Sequence, residues 1–218
     1  MRAWPRPRIV RLRAVALLLA AGAACARAPM AGPLRGVPTT RGLPPGELAP
    51  GHWRLIFRWQ YRERVFSARG DGVARLAPPD SLRLDLFLDN GSSAGFVILI
   101  ADSLILGAQD GAERYVPPAP LLWAALGRVT MSGRDTVVRV DGDTLRAEIG
   151  PAPTWRLAFG REGLVRAERI EDGRIEEIVE RTDSTRVLYR QPGGARTLTL
   201  TVQSRIRESG FNASIWRP

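Results

Sequence analysis

Alternating apolar and polar residues are the dominant pattern of this chain from residue 52 onward. Between residues 53 and 61 every second side chain is large and apolar, and most of those between them are charged or polar. Leucines occupy every second position between residues 82 and 88. A period of two is typical of a β-strand that buries one face. Both runs therefore predict half-buried strands.

Turn residues divide the remainder of the chain into further strands. Asp-Gly pairs at 141–142 and 172–173 and the Gly-Gly pair at 193–194 separate alternating runs in the C-terminal half. Gly70 and Gly72 fall inside the alternation of residues 66–76, and glycines within a strand suggest a bend or a bulge. These features predict a large antiparallel sheet, closed or partly closed as a barrel.

One short segment has a helical pattern instead. Pro120–Leu126 places Leu122, Trp123 and Leu126 on one stripe, and Gly127 follows, as is common after the last turn of a helix. We expect this helix to plug the concave side of the sheet.

The first 25 residues have the composition of an export signal. Five arginines precede an apolar run at 14–24, about half the roughly 20 residues that a membrane-spanning helix needs. The run ends at Cys25, the only cysteine, which resembles the lipid-attachment cysteine of bacterial lipoproteins. Two outcomes are open: acylation of Cys25 at the start of the mature chain, or cleavage after Ala26 and loss of the cysteine. Both place the protein in the cell envelope.

Residues 26–51 differ in composition from the residues after them. They are rich in proline, glycine, alanine and arginine and show neither a helical nor a strand period. Prolines block regular pairing. We expect a tether here, between a signal peptide at 1–25 and a β-domain at 52–218.

Charge does not indicate a nucleic-acid ligand. The 218-residue chain has a formal net charge of +10, but five of its 32 basic residues lie in the signal, which contains no acid. The rest has 27 basic and 22 acidic residues, a net charge of +5. All basic residues are arginines, interspersed with acids and without a block of like charge. We expect no nucleic-acid binding.

The chain offers few groups for catalysis. His52 is its only histidine, and a histidine without a second histidine or a cysteine does not complete a typical metal site. Glu176 and Glu177 are neighbours on an alternating strand, so their side chains point to opposite faces. No nucleophile elbow or phosphate-binding glycine loop occurs. We expect no catalytic residue, metal or other cofactor, and no enzymatic activity.

Apolar side chains are the remaining candidate for function. The concave side of a curved sheet is either filled as an ordinary packed core or left partly open as a groove. Such a groove would hold an acyl chain by apolar burial at about 25 cal/mol per Å². The residues expected to line it are Leu82, Leu84, Leu86, Leu88, Phe96, Ile98, Leu122, Trp123 and Leu126.

Three segments resemble the lipoprotein-carrier family, the periplasmic carrier and outer-membrane acceptor of bacterial lipoprotein sorting. They are residues 61–75 (YRERVFSARGDGVAR), 78–85 (PPDSLRLD) and 197–203 (TLTLTVQ). The resemblance implies a mainly β fold over residues 52 to about 210, an open, strongly curved antiparallel half-barrel of about ten or eleven strands. The acceptor of that family inserts an apolar loop residue into the membrane. The turns at 78–81, 89–93 and 102–103 offer none, so we expect passive lipid binding.

These features predict an exported monomer that binds an acyl chain or the lipid moiety of a lipoprotein, with a role in lipoprotein localisation. A palmitate-type anchor on Cys25 would hold it on the periplasmic face of the outer membrane, which Ala26, rather than an aspartate, favours by enterobacterial sorting rules. Without the anchor it would be soluble in the periplasm. The alternative is a non-catalytic envelope scaffold or sensor lipoprotein with a packed core that binds another protein.

Overall fold

The computed structural model describes residues 27–107, 116–133 and 135–217, and most of this part of the chain forms one antiparallel sheet. Its elements in chain order are β1 (Val37–Pro38), β2 (His52–Arg62), β3 (Ser67–Ala77), β4 (Ser81–Leu88), β5 (Ser93–Ile100), β6 (Ser103–Gly107), α1 (Ala119–Leu126), β7 (Thr136–Asp141), β8 (Thr144–Ile149), β9 (Thr154–Gly160), β10 (Gly163–Glu171), β11 (Arg174–Arg181), β12 (Arg186–Gln191), β13 (Arg196–Glu208) and a 3₁₀ helix (Ala213–Trp216). The predicted signal and Cys25 lie outside the described residues.

The strands form an open, curved sheet. Within the described residues, the order of the 13 strands is β1-β7-β8-β9-β10-β11-β12-β13-β2-β3-β4-β5-β6, so β1 and β6 are the free edges. The long β13–β2 pair joins the N-terminal and C-terminal halves. The predicted open half-barrel is confirmed. The strand count exceeds the predicted ten or eleven partly because β1 arises from the segment expected to be a tether.

Two glycines of β3 stand where neighbouring atoms leave no space for a side chain. The pairing of β2 with β3 is regular, with Phe57 opposite Gly72 and Trp59 opposite Gly70. The predicted bulge in β3 is therefore absent. The indole nitrogen of Trp59 donates to the carbonyl oxygen of Asp71 at 3.1 Å, so the ring lies across the backbone of β3. A Cβ atom at Gly72 would overlap the Phe57 ring, and one at Gly70 would overlap the carbonyl oxygen of Phe87 in β4.

Helix α1 ends where the sequence predicts. Gly127 adopts a left-handed conformation with φ of 94°, and its N–H donates to the carbonyl oxygen of Ala124. The helix packs against β10, β11 and β12. On its other side the indole nitrogen of Trp123 donates to the carbonyl oxygen of Ala101 at 2.7 Å. Helix α1 therefore spans the concave side of the sheet, as expected for a plug.

The segment expected to be a tether follows the sheet instead. Near its start, Ile175 N donates to the carbonyl oxygen of Pro29 at 2.9 Å, and Ala31 N donates to that of Gly173 at 2.8 Å. Strand β1 then pairs with β7. Prolines lack an N–H but keep their carbonyl oxygens as acceptors, so a proline-rich chain can still be bound along a sheet edge.

Residues 44–49 cross the opposite end of the sheet, and we call them the strap. The carbonyl oxygen of Gly46 accepts a hydrogen bond from Val129 N at 3.0 Å. Leu43 and Leu48 pack against the core cluster. The strap thus covers part of the concave side.

The β2–β3 turn exposes two apolar side chains. Val65 is 99% exposed and Phe66 is 43% exposed. This turn is not one of the three, at 78–81, 89–93 and 102–103, for which no apolar residue was expected. It lies at the same end of the strands as the β10–β11 turn, where Arg174 donates to the carbonyl oxygen of Ala28 at 3.0 Å.

Candidate functional site: an apolar cavity on the concave face

A cavity of about 580 Å³ lies between the concave face of the sheet, the end of α1 and the strap. This volume is within the usual range for small-molecule sites. Most of the lining is apolar and comes from β2, β3, β4, β12, β13, the helix and the strap. The apolar side chains are Leu48, Trp53, Leu55, Phe57, Leu76, Leu82, Leu84, Leu122, Leu126, Phe159, Leu164, Val187, Leu200 and Val202.

Four of the residues expected to line a groove lie on the cavity wall. Leu82 and Leu84 reach it from β4, and Leu122 and Leu126 reach it from α1. The strict alternation of β4 places its even-numbered leucines on the concave face, opposite Leu76 and Ala74 of β3. The two elements with the clearest sequence patterns therefore meet at the cavity.

Three further expected residues lie in or against the core but outside the lining. Leu86 and Leu88 share the face of Leu84 but sit farther along β4, away from the open end. Trp123 is fully buried and points toward Ala101 rather than into the cavity. These three side chains pack in or against the core next to the cavity and do not line it.

Phe96 and Ile98 lie on the opposite face of the sheet. The pairing of β5 with β4 sets Phe96 opposite Asp85 and Ile98 opposite Arg83, and the Arg83 guanidinium lies 4.6 Å from the Phe96 ring centroid. Val97 and Leu99 face the core instead. The expectation that Phe96 and Ile98 point into the groove is therefore wrong, and their neighbours on β5 point inward instead. Because β5 is apolar on both faces, its sequence has no alternation that shows which residues face the core.

Sequence reasoning left out most of the β2 and β13 contribution. Trp53, Leu55 and Phe57 line the cavity, and the alternation of β2 contained the signal for them. Leu200 and Val202 lie opposite Trp59 and Phe57, in a run of alternating threonines that also has a clear period. Nothing in the pattern of residues 44–49 predicts that the strap lines the site.

The open end of the cavity carries charge. Arg181 and Arg205 line this end together with Glu47 and Glu162, and both glutamates are exposed. Arg181, at the end of β11, is half-buried and donates to the carbonyl oxygen of Leu164 at 3.3 Å. Burial lowers the pKa of Arg181, and the nearby Glu162 carboxylate opposes that effect. The cavity is therefore apolar inside and polar at its opening.

The described residues contain no grouping of three or more histidine, cysteine, aspartate or glutamate side chains that could hold a metal ion. His52 packs edge-to-face against Phe211, with ring centroids 5.5 Å apart, and is not among the residues that line the cavity. Among the helices of the described chain, none has the length and apolar character to cross a bilayer.

No known family model matches the chain, and no curated protein matches it in sequence. Three solved structures are similar in fold. A LolA superfamily protein from Nitrosomonas europaea has a TM-score of 0.52 and 7% identity, covering 79% of this chain and 93% of that one. A DUF1329 family protein from Desulfovibrio piger has a TM-score of 0.50 and 8% identity, covering 77% and 90%. A domain described as an outer membrane lipoprotein-sorting protein, from Vibrio parahaemolyticus, has a TM-score of 0.50 and 6% identity, covering 76% and 89%.

These likenesses establish the fold. The described part of the chain shares its fold with these three solved structures. The fold implied by the sequence resemblance is therefore confirmed, although very few residues are identical.

Proposed function

We propose that this protein is a cell-envelope protein that binds an acyl chain or the lipid moiety of a lipoprotein in the cavity on its concave face. The cavity itself is the observation that carries the proposal. A fully packed core would leave no space of about 580 Å³ lined by leucine, valine and aromatic side chains. Apolar burial at about 25 cal/mol per Å² would hold an alkyl chain there without any specific polar contact.

The fold neighbours support this proposal in general terms. The name of the Vibrio parahaemolyticus domain refers to the sorting of outer-membrane lipoproteins. A protein of that kind must shield acyl chains from water. The apolar lining of the cavity would provide such shielding here.

The N-terminal segment supports attachment to a membrane through Cys25. Ala28 is bound at the β10–β11 turn, and the exposed Val65 and Phe66 lie at that same end of the strands. The cavity opens at the other end, about 25 Å away along the eight residues of β11. An acylated Cys25 would thus hold the apolar turn toward the bilayer and the cavity opening away from it.

Filling the cavity tests the binding proposal. Val202 lines the cavity, whereas its neighbour Thr201 is exposed on the outer face opposite Arg58. Val202→Trp would displace bound chain atoms, and Thr201→Trp adds the same side chain outside. Exclusion of three methylene groups weakens binding by about 2.4 kcal/mol, roughly fiftyfold.

The assay is extraction of the purified full-length protein followed by mass spectrometry of the bound lipid. We expect lipid in the wild type and in Thr201→Trp, and a large loss in Val202→Trp at unchanged thermal stability. Equal lipid in all three proteins, or none in the wild type, would contradict the proposal and favour the scaffold alternative. Metabolic labelling with a palmitate analogue, compared between wild type and Cys25→Ser, tests the anchor separately.

A further inference from the structure

Arg181 is a half-buried cation that forms no ion pair with a carboxylate of the described residues. Some half-buried arginines of the described chain pair with carboxylates: the side chain of Arg156 lies 2.7 Å from Glu148, and that of Arg83 lies 2.9 Å from Asp85. Arg139 resembles Arg181 instead, because its guanidinium donates to a carbonyl oxygen, that of Gly36. Arg181 differs from Arg139 in lining the cavity. For Arg181 the described residues supply only the carbonyl oxygen of Leu164 and no carboxylate within ion-pair distance. A guanidinium has five N–H donors, and no Arg181 nitrogen is among the buried atoms without a partner, so the donors not bonded to Leu164 are accessible.

The half-burial of Arg181 is unfavourable unless a hydrogen-bond acceptor or an opposite charge reaches its guanidinium. Burying a charge in apolar surroundings is costly without an opposite charge or hydrogen-bond acceptors. Glu162 is near enough to affect the pKa of Arg181 but is exposed and makes no ion pair with it. Since Arg181 lines the cavity, an anion inside the cavity can reach its free donors.

A second cation faces the same opening because of an irregularity in β13. The pairing of β13 with β2 shifts between Val202 and Ser204, which sets Arg205 opposite Leu55 on the concave face. Its guanidinium lies 4.1 Å from the Trp53 ring centroid, in cation–π contact. Arg205 lines the cavity together with Arg181.

We propose that the cavity selects an amphiphile with an anionic head group, a carboxylate or a phosphate, that binds Arg181 at the open end while its chain lies among the apolar side chains. Arg205 provides a second positive charge for the head group. This inference rests on the proposed function and narrows it to a class of ligand. Planar guanidinium groups suit both anions because they can donate two parallel hydrogen bonds.

A purely structural role for Arg181 makes different predictions. Its guanidinium lies against Gly127, and a Cβ atom there would lie 3.2 Å from Arg181 Cζ. A cation beside the C-terminus of a helix is stabilising. If that were its only role, removing the charge would lower stability without changing which ligands bind.

Displacement of the neutral fluorophore N-phenyl-1-naphthylamine distinguishes these two roles. The competitors are oleate, oleyl phosphate and methyl oleate, which share a chain and differ in the charge of the head group. The variants are Arg181→Gln and Glu162→Gln. Arg186→Gln is the matched control, because Arg186 lies at the same end of the strands but is exposed on the outer face, opposite Thr201.

We expect oleate or oleyl phosphate to compete about tenfold better than methyl oleate with wild type and with Arg186→Gln, as for a hydrogen bond to a charged group. Arg181→Gln should abolish that preference and leave methyl oleate unchanged. Glu162→Gln should strengthen the binding of both anionic competitors, because it removes a negative charge that repels them. Comparison of the two anions shows whether the site prefers carboxylate or phosphate.

Two results would overturn the inference. One is equal competition by methyl oleate and both anions with wild type. The other is an unchanged preference in Arg181→Gln when its unfolding curve shows that it is folded. Either result, with the fluorophore still bound, leaves the apolar cavity intact as a binding site. Failure of the fluorophore to bind at all would instead contradict the proposed function.

Discussion

Replacing Gly72 with alanine tests the packing that shapes the cavity wall. A Cβ atom at this position would lie 2.5 Å from Cε2 and 3.0 Å from Cε1 of Phe57. Phe57 is only 3% exposed. It also lines the cavity, so we expect the added methyl group to push the ring toward that space.

The size of the effect depends on two opposing contributions. Overpacking of a core costs about 1–3 kcal/mol, whereas alanine is favoured over glycine within a strand by about 0.5–1 kcal/mol. We expect the free energy of unfolding to fall by roughly 1 kcal/mol. Gly42→Ala is the matched control, because a Cβ atom there meets no atom within 4 Å.

Urea unfolding followed by tryptophan fluorescence measures this change. A double-mutant cycle with Phe57→Leu isolates its cause, since a leucine leaves room for the new methyl group. We expect a coupling energy of about 1 kcal/mol between the two sites. We also expect Gly72→Ala to bind N-phenyl-1-naphthylamine more weakly than Gly42→Ala. Equal stability of the two glycine variants, or strictly additive effects in the cycle, would refute this account of β3.

Three further predictions concern the buried Tyr189 and helix α1. Burial and the Glu177 carboxylate raise the pKa of Tyr189, so its stabilising effect is complete below the unfolded-state value of 10.0 and is lost as pH rises above it. The free energy of unfolding should therefore fall more steeply above pH 10 in wild type than in Tyr189→Phe, as measured by urea titration. Trp123→Phe removes the hydrogen bond to Ala101 and should lower the unfolding free energy by about 1–3 kcal/mol, with a smaller loss contradicting the bridging role of α1. Gly127→Ala places a side chain at φ of 94° and should cost about 1–2 kcal/mol, measured as a fall in Tm.

Strands with strict alternation were predictable in both existence and direction. On β4 the even-numbered residues are leucines, and the residues between them include Arg83 and Asp85. Only one orientation of the strand therefore buries the leucines and leaves the charges outside. The helix was equally clear because Gly127 ends it. In contrast, Phe96 and Ile98 belong to a strand that is apolar on both faces, and only its pairing with β4 decides which residues point inward.

Features that depend on tertiary contacts left no local signal. The strap is a proline-rich segment whose position comes from one backbone hydrogen bond, between Gly46 and Val129, and from leucine packing. Arg181 is one of many arginines at the end of a strand. Its lack of a carboxylate partner is visible only once its neighbours in space are known.

An irregularity in β13 contributes one of the charges at the opening of the apolar cavity. From Leu198 to Val202 the inward positions of β13 are apolar and lie opposite aromatic residues of β2. In a regular ladder the next inward residue would be Ser204, and Arg205 would face outward. The bulge reverses the alternation, so Arg205 lies opposite Leu55 and reaches Trp53. The irregularity thus adds a second cation, besides Arg181, at the opening of an apolar cavity, an arrangement that suits a ligand with a chain and an anionic head group.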